Sequence, residues 1–292
     1  MPELPEVETT VRDLRKKVLG KTFVDFWTDF PKMIKKPNLE KLKREIKGRK
    51  IEGIRRKGKN ILFDLSGNKT LLIHQKLTGH LLLGKWKIKN GKWQSEIPGP
   101  LLEDPMNKFL HLIFWLNSGQ MLALSDLRKF AKVELWDKKE LENSKEFQSL
   151  GPDPISKDFS FLKFKEAIKK RKKGKIKEVL MDQTVISGIG NIYSDETLWL
   201  AKINPLKEIS KLTDSGLKRI YQSLRKILNL AIKVRGESIS DFRRISGQKG
   251  GFDPLRKVYR REGEECPRCG TKIKRIKIKG RSSYYCPVCQ KL

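Results

Sequence analysis

The chain has 292 residues, 37% apolar and 34% charged, enough for two domains and a sizeable core. Its 65 Lys and Arg against 34 Asp and Glu leave a net charge of +31 and a pI near 10, a field that favours a polyanion, because neutralised phosphates release their condensed counterions. No run of about 18 apolar residues occurs, so no transmembrane helix is expected, and the acidic, amphipathic start is unlike a secretory leader.

A ribosomal-type protein or a solvated lysine-rich surface shares this composition; nucleic-acid binding is the stronger reading. At the N-terminus, Leu4, Val7, Val11, Leu14 and Val18 recur at steps of three and four. They form one face of an amphipathic helix, with Pro5 in its first turn and Gly20 at its end. The opening Met-Pro-Glu-Leu-Pro-Glu also invites a chemical reading. Removal of the initiator Met would leave Pro2 with a secondary α-amine that titrates near pH 8, attacks a sugar C1′ and forms an iminium directly. The positive end of the helix favours the neutral amine, Glu3 and Glu6 oppose it, and carboxylates beside an amine can pass protons. A proline-started helix with acids in its first turn needs none of that chemistry, so residues 2–8 alone leave both readings open.

Residues 50–77 predict two strands joined by Ser-Gly-Asn-Lys, and 109–127 repeat the plan around Asn-Ser-Gly-Gln. The Gly-, Pro- and Lys-rich stretch 84–108 predicts an irregular loop. His74, His80 and His111 fall on strand-like segments without metal-ligand spacing and read as structural or DNA-facing. Composition shifts at 150–160, a Pro/Gly/Ser/Asp linker, after which the periodicity turns helical. The basic run 169–177 either tracks a phosphate backbone or is solvated. "VISGIGNIYSDE" (185–196) suits a helix–helix turn, or a phosphate approach to exposed N–H groups. Leu217, Ile220, Tyr221, Leu224, Ile227, Leu228 and Ala231 mark a helix with Asp214 as N-cap and Gly236 as terminator. Residues 236–257, glycine-rich and weakly apolar, predict a mobile loop.

All four cysteines lie in the last 27 residues, as Cys266-x2-Cys269-x16-Cys286-x2-Cys289. Two thiolate knuckles at this spacing suit one structural Zn²⁺ with every ligand supplied by protein, in a reducing compartment. An iron–sulfur cluster also takes four cysteines, but the wide middle spacing fits a zinc ribbon better. Arg281 falls in the expected hairpin turn between the knuckles, from which it can enter a DNA groove or stay solvated. The chain reads as cytoplasmic.

Together "PELPEVETT", "GIGNIY" and the cysteine ribbon, in this order over nearly the whole length, resemble the formamidopyrimidine-DNA glycosylase family of base-excision repair enzymes. The resemblance implies an α+β multidomain fold. An N-terminal β-sandwich with an N-terminal helix spans 1–136 and a linker spans 137–158. A helix-two-turn-helix domain spans 159–257, and a zinc-finger β-hairpin spans 258–292. Damaged double-stranded DNA would lie in the cleft between domains, bound by a monomer. Pro2 resembles the nucleophile, Glu3 the acid assisting sugar-ring opening, Glu6 a supporting carboxylate, and Lys59 the hairpin lysine that contacts phosphate and helps catalysis. Asn191 and Arg281 resemble the phosphate grip at the reaction centre. Leu77, Arg128 and Phe130 resemble the triad that fills the gap left by a flipped nucleotide. Residues 236–257 match the segment that folds over a flipped 8-oxoguanine.

Three departures affect contact with the opposite base rather than the chemistry: Leu77 stands where methionine is usual, "HQK" replaces an apolar-Gly or apolar-Arg pair, and "DLRKFAK" carries Leu and Ala where Pro and Gly are frequent. The implied activity is bifunctional: excision of oxidised purines through a Schiff base at Pro2, then AP-lyase β,δ-elimination. Leu4 and the full-length 236–257 segment disfavour the pyrimidine-directed endonuclease VIII branch. A non-catalytic zinc-ribbon DNA-binding protein would need a damaged Pro-Glu start or a missing lysine, and neither occurs.

Overall fold

The computed structural model describes residues 1–238 and 241–292; Ile239 and Ser240, within the 236–257 segment, lie outside the described residues. The chain forms two compact units, residues 1–148 with 234–253, and residues 149–233 with 254–292. Among the described residues no helix is long and apolar enough to cross a membrane.

The first unit holds a β-sandwich and a separate hairpin (β7–β8), with strands β1 (Phe23–Thr28), β2 (Ile34–Lys36), β3 (Ile51–Lys57), β4 (Asn60–Leu65), β5 (Lys69–His74), β6 (His80–Gly84), β7 (Trp86–Lys89), β8 (Lys92–Ser95), β9 (Leu110–Leu116), β10 (Met121–Ser125) and β11 (Lys132–Asp137). One sheet runs β1-β9-β10-β6 and the other β2-β11-β5-β4-β3. Alternate side chains meet between them: Ile61 and Phe63, Leu71 and Ile73, Leu112 and Phe114, Leu122 and Leu124. Val7, Val11, Leu14 and Val18 of the helix Leu4–Val18 enter the same core. On the outer face of the second sheet, Leu62 and Leu72 pack under Leu141 and Phe147 of the short helices Lys138–Asn143 and Lys145–Gln148. Covered on both faces, β4 therefore reads as a nearly continuous apolar run.

In the first unit three expectations differ from the structure. The first strand expected in 50–77 folds back at Gly58–Lys59 into β3 and β4, with Gly58 at φ +57. Primed hairpin turns require that sign of φ at their first central residue, and glycine meets it at least cost. Residues 84–108 are not irregular: β7 and β8 pair across an Asn90-Gly91 turn. Trp86 joins Leu101 and Leu110 in a cluster against which Trp27, Trp93 and Trp115 pack, so indole burial organises a lysine-rich stretch. The segment expected to be a mobile loop belongs to the first unit through residue 253. There Ile245 enters the sandwich core, Leu83 N donates to Ile245 O at 2.8 Å, and buried Arg243 pairs with Asp104 at 2.6 Å.

The second unit carries the helices Phe161–Lys169, Ile176–Met181, Asn191–Ala201 and Asp214–Lys233, then β12 (Lys274–Ile278) and β13 (Arg281–Tyr285). The long helix begins at Asp214 rather than after it. Thr213 Oγ1 takes the capping role by accepting Gly216 N at 3.1 Å, while Asp214 pairs with Lys165. The helix ends at Lys233, three residues before the expected glycine. Buried Glu196 receives the N–H groups of Lys257, Val258 and Tyr259 at 2.9 to 3.0 Å, fastening the approach to the cysteine module. Burial pushes its carboxyl above the ordinary range, and those three bonds pull against the shift.

Candidate functional site

In the first unit the candidate site residues stand on the helix start and three turns. Pro2, Glu3 and Glu6 are all buried. Glu3 caps the helix through a reciprocal box, accepting the Glu6 N–H while Glu6 Oε2 accepts Glu3 N at 2.8 Å. The other oxygen, Glu6 Oε1, accepts Glu237 N at 2.8 Å. Gly236 permits that bond: its φ is +83, and a Cβ there would stand 2.8 Å from Glu6 Oε1. One carboxylate thus ties the residue after Pro2 to the segment returning at 236–237. The same helix side holds Asp13, paired with Arg235 at 2.9 Å and Arg244 at 3.6 Å.

Lys59 occupies the β3–β4 turn and is mostly buried. Leu77 lies in the turn after β5, and Arg128 and Phe130 lie in the turn after β10. Buried Asp126 joins these two turns. It accepts the Thr78 hydroxyl and the N–H groups of Arg128 at 3.3 Å and Ala131 at 2.7 Å. Phe130 is 51% exposed, with the Arg128 guanidinium 4.9 Å from its ring centroid. A solvent-facing aromatic flanked by a cation on a braced turn is suited to stacking against a base. Of the three histidines, His74 and His80 are held neutral. Burial, with Lys76 and Lys59 nearby, drops His74 to about 3. Burial drops His80 to about 4, against bonds to Asn107 and Thr78 O. His111 bonds Asp29 at 2.9 Å.

In the second unit Asn191 opens its helix behind Gly188–Gly190, a turn held by Gln183 through Gly188 N at 2.8 Å and Ile189 O at 2.7 Å. Asn191 Nδ2 donates to Ser282 O at 2.8 Å, one residue from exposed Arg281 at the start of β13. Two candidate phosphate contacts therefore share one support. Below them Lys177, 1% exposed, donates to Asn191 O at 3.0 Å and pairs with Asp195 at 2.6 Å. Asp195 also accepts the Ser283 hydroxyl at 2.6 Å and Tyr284 N at 3.1 Å. Burial raises the Asp195 carboxyl above its ordinary range, and Lys177 opposes that shift.

Lys177 closes the basic run 169–177, and its role had no local signal, since its partner lies 18 residues away. Asp126 and Thr78 carry no local signal for the same reason, since they lie 48 residues apart.

The four cysteine sulfurs lie within 4.8 Å of one another, with Cys269–Cys286 at 3.5 Å, Cys269–Cys289 at 3.4 Å and Cys266–Cys289 at 4.0 Å. Zn–S bonds of about 2.3 Å in a tetrahedron give edges of about 3.8 Å, so the set fits one structural zinc. Trp199 Nε1 donates to Cys266 Sγ at 3.5 Å, a bond of the kind that orients a metal ligand.

Comparison with known proteins matches residues 1–133 to the formamidopyrimidine-DNA glycosylase N-terminal domain, 150–243 to its H2TH domain, and 263–292 to a zinc finger found in FPG and IleRS. A formamidopyrimidine-DNA glycosylase of Pelotomaculum thermopropionicum is 38% identical over 292 residues, covering 100% of both chains. A variant Lactococcus lactis FPG solved with Fapy-dG DNA superposes with a TM-score of 0.86 at 35% identity, with 100% of each chain covered. MutM solved with carbocyclic 8-oxo-G DNA gives 0.85 at 35% identity and the same coverage.

Proposed function

Because the chain belongs to the formamidopyrimidine-DNA glycosylase family, a family of DNA repair glycosylases, we propose that it excises oxidised purines, 8-oxoguanine and formamidopyrimidines, from duplex DNA and then cleaves the strand as an AP lyase. The Pro2 amine, free once Met1 is removed, attacks C1′ of the flipped nucleotide. The C1′–N glycosidic bond breaks, the base leaves with a proton, and an iminium links Pro2 to the ring-opened sugar. Loss of a C2′ proton then expels the 3′ phosphate, and a second elimination expels the 5′ phosphate. Glu3 supplies the proton for ring opening, Glu6 holds the terminus, and Lys59 meets the phosphate beside the lesion. Leu77, Arg128 and Phe130 fill the vacated stack, and Asn191 and Arg281 grip the backbone. The four cysteines hold zinc, which stiffens the hairpin and takes part in no step.

The observation that carries this reading is the two-sided hydrogen bonding of Glu6, which fixes the peptide that follows Pro2. The proposed division is a catalytic domain (1–136), a linker (137–158), a DNA-gripping helical domain (159–257) and a zinc finger (258–292), with residues 234–253 of the helical domain packing into the first unit. Its site of action is the bacterial chromosome in the cytoplasm, where it works as a monomer.

Borohydride trapping on a duplex with one 8-oxoguanine opposite cytosine tests the chemistry. Wild type should give a covalent adduct, and Pro2→Gly and Glu3→Gln should lose most of it. Intact-mass detection of retained Met1 in active enzyme would remove Pro2 as nucleophile. An adduct only with oxidised pyrimidines would keep the mechanism and change the substrate. Tight salt-sensitive binding with no adduct, even on an abasic duplex, would leave a silent DNA-binding protein.

A further inference from the structure

We propose that Arg56 is a positioning residue for Lys59, holding the tip of the β3–β4 hairpin against the helix that carries Pro2 and Glu3. The inference rests on the reading of Lys59 given above. Arg56 lies on β3 three residues before Lys59, and its side chain is 4% exposed. Its guanidinium makes bonds of different kinds. Nε donates to Glu8 Oε2 on the helix at 2.9 Å, and Nη1 donates to Gly58 O at 3.0 Å. The Gly58 carbonyl belongs to the peptide group whose nitrogen is that of Lys59, so this bond sets the plane from which the lysine side chain springs.

Gly58, at φ +57, supplies little rotational restraint of its own. The restraint comes from the two sides of the turn. Asn60 Nδ2 closes it from within by donating to Lys57 O at 3.2 Å, and Arg56 closes it toward the helix. Glu8 stands four residues after Leu4, about 6 Å along the axis from the helix start. A planar fork spanning Glu8 and Gly58 O thereby links the two parts of the site that must meet one sugar-phosphate unit. Arg12 Nε engages the second Glu8 oxygen at 2.8 Å and keeps that carboxylate turned toward β3. The Arg12 and Arg56 charges outweigh burial, so Glu8 ionises more readily than an ordinary glutamate.

Lysine cannot reproduce the fork. An Arg56→Lys variant keeps a cation for Glu8 and gives up the second bond to the turn. A control comes from the same helix: Arg15 Nε donates to Ile54 O, strapping the helix to β3 away from the turn. A general packing role predicts that Arg56→Lys and Arg15→Lys behave alike. A positioning role predicts that they do not.

The experiment is a double-mutant cycle read by single-turnover excision of 8-oxoguanine, with duplex Kd and Tm measured on every variant. Arg56→Lys should slow excision by about 10-fold, since a displacement near 1 Å can cost up to about 100-fold. Kd should stay at the wild-type value, Tm should fall by no more than the few degrees that one lost bond costs, and Arg15→Lys should leave the rate unchanged. In a Lys59→Ala background, Arg56→Lys should add no further slowing. Equal slowing by Arg56→Lys in both backgrounds, or equal effects of Arg15→Lys and Arg56→Lys, would overturn the positioning role while leaving Lys59 in the site. Lys59→Ala with wild-type excision would overturn the reading of Lys59 and this inference with it. Wild type without excision would fail at the proposed function instead.

Discussion

The two units support their candidate site residues by different physics. In the first, the helix start, three turns and a returning segment are joined by hydrogen bonds to shared carboxylates, chiefly Glu6, Glu8 and Asp126. In the second, Asn191 and Arg281 rest on a buried ion pair and on a four-cysteine site. The first arrangement gathers several chain segments onto shared, largely buried carboxylates, each bond to such a charged group being worth about 1.5–3 kcal/mol. The second fixes the proposed phosphate contacts through a neutralising lysine and a metal site, and neither can be removed without a large penalty.

The comparison breaks most sharply on removal of zinc. Chelation or Cys286→Ser should unfold the ribbon and raise the duplex Kd by about 100-fold or more, since such modules take their folding energy from the metal. Five of the six tryptophans, 27, 86, 93, 115 and 136, lie in the first unit. Their near-ultraviolet signal should survive. Its collapse on chelation would show that the two supports are not separate.

Next in size is Lys177→Met, which leaves Asp195 buried with its cation gone and should cost about 3–5 kcal/mol in urea unfolding. Lys177→Met with Asp195→Leu should recover most of that loss, as apolar replacement of a whole buried pair often does. A double variant no better than the single would mean that the bonds to Asn191, Ser283 and Tyr284, rather than the charge, hold the second unit.

Mild acid should act on the first unit, which holds all three histidines. His80 falls from 6.5 to about 4 in the folded protein, and His74 to about 3. Each is held neutral, so the unfolded chain binds the proton first. Their stabilisation is complete above pH about 6.5 and is lost progressively as pH falls toward the folded values, by about 3 kcal/mol for His80. Urea unfolding followed by tryptophan fluorescence from pH 7.5 to 4.5 should show that decline, and His80→Gln should flatten it. An unchanged slope in the variant would remove His80 as the cause.

The smallest effect belongs to the long helix of the second unit. Thr213→Ala should cost about 1 kcal/mol through the lost cap, whereas Asp214→Asn should cost less, its pairs with Lys165 and Lys169 being solvent-exposed. Thermal unfolding of the two variants separates them. The reverse order would restore Asp214 as the cap.

By themselves the residues determined the amphipathic first helix, the hairpins around Gly67 and Gly119, the helical second half and the cysteine spacing. Each is a short-range pattern, with a period of 2 or 3.6 or a fixed ligand offset, that any window of the chain contains. Asn90-Gly91 and Gly58 were equally short-range signals, obscured by surrounding lysines that resemble solvated loop. Tertiary structure alone decided the rest. Ile245 and Arg243 looked like parts of a mobile loop because their partners, the sandwich core and Asp104, lie more than a hundred residues earlier. The run ending at Lys177 read as phosphate-tracking or solvated because nothing near it announces Asp195, and Glu6 read as a first-turn acid or a supporting carboxylate whose partner Glu237 no local pattern names. Burial and charge pairing are properties of position in space, and a partner distant along the chain leaves no periodicity to read.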